Sequence, residues 1–155
     1  MTKTMLCLIL AAVASASCTL GTVSQTGSQT GEMSRAVIDP YLKISEALAS
    51  DDIEGVKMNA GEIATAATAL GALAIKIDTS AVQLSAAADL ADAREKFGAL
   101  SEAIDLYMTS QHFPPPEGVR VAFCPMVKKP WLQTDGSLRN PYYGSQMLTC
   151  GSFRN

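Results

Sequence analysis

The residues best suited to chemistry in this chain are four sulfur-bearing side chains near its end. Cys124-Pro125-Met126 places a thiol and a thioether two positions apart, and Met147-Leu148-Thr149-Cys150-Gly151 places a second such pair three positions apart. Thiolates and thioethers are soft donors that favour Cu(I) and similar thiophilic ions over hard ions that prefer oxygen. In an extended segment residues two apart point the same way. In a helical turn residues three apart share a face. Cys124, Met126, Met147 and Cys150 therefore form a candidate metal site, with Cu(I) as the ion it would take. His112 is the one histidine. It is a further candidate ligand, although a histidine at a helix end also serves the terminal carbonyls. Trp131 is either a cation–π cover for Cu(I) or a packing plug.

The N-terminus sets the compartment in which those sulfurs work. Lys3, the apolar run Met5 to Val13 and the small residues Ala14-Ser15-Ala16-Ser17 predict a secretory signal peptide over residues 1–17. The run is shorter than the roughly 20 residues a spanning helix needs. Cleavage after Ala16 would free a soluble periplasmic protein. Lipidation at Cys18 would instead hold it at the membrane, the only membrane contact expected. Export also admits a rival reading of the sulfurs, because exported cysteine pairs commonly bond. A Cys124–Cys150 disulfide would close a loop of 27 residues. That closure is worth roughly 3–4 kcal/mol on the chain-entropy account. Met126 and Met147 would then be ordinary gap-filling apolar residues.

The elements that must position these groups are mainly helical. Residues 18–33 read as a flexible polar tether rich in Gly, Ser and Thr. One domain is expected over 34–155, with a helical bundle at 34–111 and the Cys/Met-containing segment at 112–155. Asp39-Pro40 looks like a helix start, so the first helix either breaks or kinks there. Asp51-Asp52 suits another start. From there Val56, Ala60, Ile63, Ala67, Leu70, Ala74 and Ile77 recur at spacings of four and three. That seam predicts one helix from about Asp52 to Ile77, with Asp78-Thr79-Ser80 as the following turn. A further helix runs to about Ser110, with Leu90, Ala93, Phe97, Leu100, Ile104 and Tyr107 facing inward. The expected fold is an up-and-down bundle of three to four helices with an irregular C-terminal extension.

That extension opens at Phe113-Pro114-Pro115-Pro116, which cannot continue a helix. Val119 to Phe123 suits a short strand. A long polar loop with turns at Asp135-Gly136 and Asn140-Pro141 is expected next, then one helical turn over Gln146 to Cys150. A disulfide or a metal would help to fix a segment so poor in regular structure.

Several stretches together resemble a known family. They are Val121-Ala122-Phe123-Cys124-Pro125-Met126, Trp131-Leu132, and Asn140-Pro141-Tyr142-Tyr143-Gly144-Ser145-Gln146-Met147-Leu148-Thr149-Cys150-Gly151. Tyr41-Leu42, Ala47-Leu48, Asp51-Asp52, Ala93-Arg94, Phe97 and Leu100-Ser101 also fit its pattern. The chain is similar, over roughly residues 34–152, to a small bacterial domain of unknown function. That domain occurs alone or appended to periplasmic adaptor subunits of copper and heavy-metal efflux pumps. The resemblance implies a periplasmic helical domain with a copper-handling role, mapped here onto Cys124, Met126, Met147 and Cys150. Asn140, Pro141, Tyr142 and Gly144 would frame the second motif. It also implies a periplasmic metal-efflux component as a partner. The chain has no room for an adaptor body, so a free-standing binder or chaperone is expected.

Other classes find little support. A net charge of −3 and a pI near 5.1 argue against nucleic acid, which demands a basic face. Lys128-Lys129 is the one adjacent basic pair and reads as a solvated turn. No enzyme is expected, since one histidine cannot assemble a catalytic triad or a His-rich metal centre. Two readings stay open: a Cu(I) binder, and a disulfide-stabilised interaction module of the cell envelope without metal.

Overall fold

The computed structural model describes residues 33–154. The expected signal peptide and nearly all of the expected tether, with Cys7 and Cys18, lie outside the described residues. Met33, the last tether residue, is 2% exposed and packs into the core. Among the described residues four α-helices are followed by a three-stranded antiparallel sheet. None of these helices is long and apolar enough to cross a membrane.

Helix α1 (Arg35–Ala49) continues through Pro40 as one element, so the chain does not break there. The proline removes one backbone donor. Val37, Ile38, Tyr41, Ile44 and Leu48 all bury on the helix's inner face and hold the element together across it. Asp51 then adopts a left-handed φ of 61°. Asp52 caps α2 (Ile53–Ala67), its carboxylate accepting from the amides of Glu54 and Gly55 at 3.1 Å each.

The long helix expected from Asp52 to Ile77 is two helices. Helix α2 ends at Ala67, two single-turn 3₁₀ segments flank Gly71, and α3 spans Ile75–Ser85. Gly71 sits at φ 78°, ψ −169°, a conformation open essentially to glycine alone. The expected turn at Asp78-Thr79-Ser80 accordingly lies inside α3. The seam misleads because both arms of the hairpin face one core. Val56, Ala60, Ile63 and Ala67 bury from α2, while Ala74, Ile77, Ala81 and Leu84 bury from α3. The 4–3 spacing continues across the break.

Helix α4 (Leu90–Gln111) opens on a reciprocal cap. Asp89 accepts from the Asp92 amide at 2.9 Å, and Asp92 accepts from the Ala88 amide at 2.8 Å. Ala93, Phe97, Leu100 and Ile104 are buried as expected, with Leu90 and Tyr107 half-buried. Each helix packs against the next in sequence, which makes the up-and-down bundle.

The segment expected to be a long polar loop after Cys124 contains a strand at Lys129–Thr134. Strand β1 (Val119–Cys124) pairs with β2 (Lys129–Thr134) from Val119↔Thr134 to Cys124↔Lys129, and with β3 (Ser152–Phe153) on its other side. Lys128 closes the hairpin at φ 57°. Its neighbour Lys129 is no free turn cation. It lies over Gly98, where a Cβ would stand 2.6 Å from Lys129 Cδ, and it reaches Glu102 at 2.5 Å.

Strand β2 is a sheet edge, and it packs against α1 and α4. An edge strand leaves backbone groups to satisfy. Pro130 has no N–H to leave over, and its carbonyl accepts from Tyr142 Oη at 2.5 Å. The Leu132 amide donates to Tyr41 Oη at 3.2 Å, and that hydroxyl also pairs with Ser101 Oγ at 2.6 Å. Burial holds both phenols well above the ordinary tyrosine range. Their rings join Phe97 and Trp131 in one aromatic row, with centroids 5.1, 5.6 and 6.1 Å apart along Tyr41–Phe97–Tyr142–Trp131.

Candidate metal centre

Strand β1 ends at Cys124, which is completely buried. The β1–β3 register pairs Phe123 with Ser152, so the next residues along the two strands are Cys124 and Gly151. Cys150 thus arrives beside the end of β1. It is half-buried, and both thiols are free.

Asn140 fixes this corner. Its side chain is wholly buried, and Oδ1 accepts from the Tyr142 amide at 2.8 Å. That bond settles which end of the amide faces the sulfur. Nδ2 donates to Cys124 Sγ at 3.3 Å and to the Cys150 carbonyl at 2.7 Å. The Asn140 backbone is engaged as well, its N–H donating to the Leu148 carbonyl at 2.6 Å and its carbonyl accepting from Gly144 at 3.1 Å. One nitrogen therefore touches both cysteine residues, although they lie far apart in sequence.

Gly151 admits no side chain here. Its φ is 139°, and a Cβ would lie 2.7 Å from Trp131 Cη2 and 2.9 Å from the Phe123 carbonyl oxygen. Trp131 is accordingly a packing wall beside the cysteine corner. Its indole Nε1 donates to Gln133 Oε1 at 3.1 Å.

The two methionines are placed differently. Met126 sits in the β1–β2 turn at 60% exposure, and Met147 is 38% exposed. The helical turn expected over Gln146 to Cys150 is displaced to Gly144–Gln146, and Met147 has left helical geometry at φ −145°, ψ 52°. A tight turn still joins Met147 to Cys150, closed by the Cys150 amide on the Met147 carbonyl at 3.0 Å. The structure thus brings the Cys150 backbone to the Asn140 amide that also bonds Cys124 Sγ, and leaves both thioethers at the surface. His112 is exposed and ends α4 in left-handed geometry at φ 56°, its own amide bonded to the Met108 and Thr109 carbonyls. Among the described residues no three His, Cys, Asp or Glu side chains converge.

A second polar cluster anchors the corner to the bundle. The Arg94 guanidinium bonds Asp51, the Leu48 carbonyl at 3.4 Å and the Pro141 carbonyl at 3.3 Å. Ser145 Oγ donates to the other Asp51 oxygen at 2.7 Å. Gly144, at φ 54°, leaves the gap these groups fill, since a Cβ would collide with both Asp51 and Arg94. The sequence holds these residues apart, and only the fold shows them as one cluster. The Ser145 hydroxyl, with the Arg94 charge, holds the Asp51 carboxyl below its ordinary range. A depressed carboxylate contributes stability above its unfolded pKa and loses it as pH falls through the folded value. Asp51→Asn should therefore be less stable than wild type at neutral pH, with the gap closing below about pH 4. Urea titrations across that range check this, and a gap that does not vary with pH would contradict it.

A four-helix bundle with a buried, polar-anchored hairpin defines the class of the molecule. Residues 37–114 match the family described as "Protein of unknown function (DUF3347)", and the chain belongs to that family. The matched residues cover the helices and stop before β1, so Cys124, Met126, Met147 and Cys150 lie outside the match. No curated protein and no solved structure matches the chain.

Proposed function

We propose that this chain is an exported protein that binds a soft metal ion, Cu(I) by its donor chemistry, and buffers it or delivers it to an efflux component of the periplasm. The observation that carries the reading is the single Asn140 amide nitrogen shared by Cys124 Sγ and the Cys150 carbonyl. It ties the backbone of Cys150 to the Cys124 side chain and aims an N–H at one sulfur. A donor of this kind steadies a metal-bound thiolate and fixes its direction. Cys124 and Cys150 would bind as thiolates. Met126 and Met147, exposed on the neighbouring turns, would add thioether donors as an ion is taken up or released. Thiolate binding releases protons, so affinity falls as the medium is acidified.

Reduced chain should therefore withhold Cu(I) from a competing chelator in a titration. The Cys124→Ser/Cys150→Ser variant, compared as mature protein without the signal peptide, should lose most of that competition. Equal competition by the two proteins would sink the proposal. The same closeness of the cysteines favours a second reading, a disulfide-stabilised helical module that docks to an envelope partner without metal. Peptide mapping of chain prepared from the periplasm separates the two. A complete Cys124–Cys150 bond that resists reduction supports the module, and free thiols that Cu(I) protects support the metal.

A further inference from the structure

The two sulfurs at the sheet end are not equivalent, and the difference assigns them an order of reaction. Cys124 is sealed at the end of β1, under Asn140 and beside the wall of Trp131 and Gly151. Cys150 is half-buried at the end of the Met147–Cys150 turn and belongs to no strand. Reactivity of a thiol toward a soft electrophile follows access, because the sulfur must be reached along the axis of the bond it breaks. Cys150 meets solvent, and Cys124 does not.

We infer that Cys124 and Cys150 form a thiol–disulfide exchange pair, with Cys150 as the attacking sulfur and Cys124 as the resolving one, acting on a small disulfide of the glutathione type. In the first step the Cys150 thiolate attacks one sulfur of the disulfide. A Cys150 mixed disulfide forms and one thiolate leaves. In the second step the Cys124 sulfur attacks Cys150 Sγ and its proton passes to the departing sulfur. The Cys124–Cys150 bond forms and the second external sulfur leaves as a thiol. Two protein thiols are oxidised, and one external disulfide is reduced to two thiols. Asn140 is a positioning residue for the second step. It holds the Cys124 sulfur and the Cys150 backbone on one nitrogen, so the resolving sulfur is tied to the turn that would carry the adduct. The closed form has no thiolate left to offer a soft ion, so the pair would gate the site by redox state.

Both tests are run on full-length, metal-free chain, so they stand apart from copper binding. Peptide mapping distinguishes Cys124 and Cys150 from Cys7 and Cys18. Limiting iodoacetamide on folded, reduced chain should alkylate Cys150 at least about tenfold faster than Cys124. This measurement needs no substitution and therefore does not depend on a variant folding. Oxidised glutathione should then convert wild type to the internal disulfide through a transient adduct on Cys150, and excess reduced glutathione should reopen it. Cys124→Ser should stall as a stable Cys150 adduct, and Cys150→Ser should leave its Cys124 unmodified over the same time. Equal alkylation of the two thiols would overturn the inference. So would wild type that accumulates an adduct without closing, or an internal bond that reduced glutathione does not reopen.

Discussion

Asn140→Ala should lower the stability of the chain by about 2–4 kcal/mol, one of the largest losses expected from any single substitution of a polar residue here. Alanine keeps the backbone bonds to Leu148 and Gly144 and removes all three side-chain bonds. The Tyr142 amide and the Cys150 carbonyl are then left without their partners in a buried corner. Each buried backbone group left unmade costs roughly 1–3 kcal/mol, whereas a bond traded for one to water costs much less. The loss of the bond to Cys124 Sγ adds little by itself, because sulfur is a weak acceptor. Its effect is on position. Trp131, the sole tryptophan, lies against Gly151 and reports on this corner by fluorescence during urea unfolding. An Asn140→Ala midpoint equal to that of wild type would show that the corner does not depend on this amide.

Gly151→Ala should cost about 3 kcal/mol from the combined strain of backbone and packing. Two independent effects act at this residue. At φ 139° the backbone lies in a region that side chains rarely adopt. The added Cβ would also press on Trp131 Cη2 at 2.7 Å and on the Phe123 carbonyl oxygen at 2.9 Å. The carbonyl belongs to β1 and cannot swing away without loosening the sheet, and Trp131 is packed against Tyr142. Relief must come from moving residues 150–151 themselves, so Cys150 should shift away from Cys124. The same variant should consequently show slower closure of the Cys124–Cys150 bond. Urea titration measures the first effect. A loss below about 1 kcal/mol would mean that the β1–β3 contact yields easily.

How much of this was legible in the sequence differs by element. The inner face of α4 follows directly from apolar spacing, because one helix against one core leaves a simple 3.6-residue record. The α2–α3 hairpin hides in the same record, because both of its arms face the core and keep the phase. Only the left-handed demand at Gly71 marks the break, and a glycine carries no visible φ. Strand β2 was concealed for a different reason. Pro130 reads as a strand breaker, yet on an edge its missing N–H is an advantage, and Tyr41 and Tyr142 satisfy the groups beside it. Tyr41 lies 91 residues from Leu132 and Tyr142 twelve residues beyond Pro130, so no strand-length pattern reveals these bonds. At the candidate site, residue type and motif singled out Cys124 and Cys150, but not the amide that links the Cys124 sulfur to the Cys150 backbone. The Asp51–Arg94–Ser145 cluster was not legible either, since it joins three separate segments through tertiary contact alone. The motif suggested Asn140 as a frame residue, and the structure gives that role its physical content in five hydrogen bonds.

The central claim is that soft metal rests on the sulfurs of Cys124 and Cys150. Copper X-ray absorption on reduced chain loaded with one equivalent of Cu(I) tests it most directly. The account predicts a first coordination shell of sulfur that is lost or replaced by lighter donors in Cys124→Ser/Cys150→Ser. A shell of nitrogen and oxygen in the wild type, or a sulfur shell unchanged in the double variant, would contradict it.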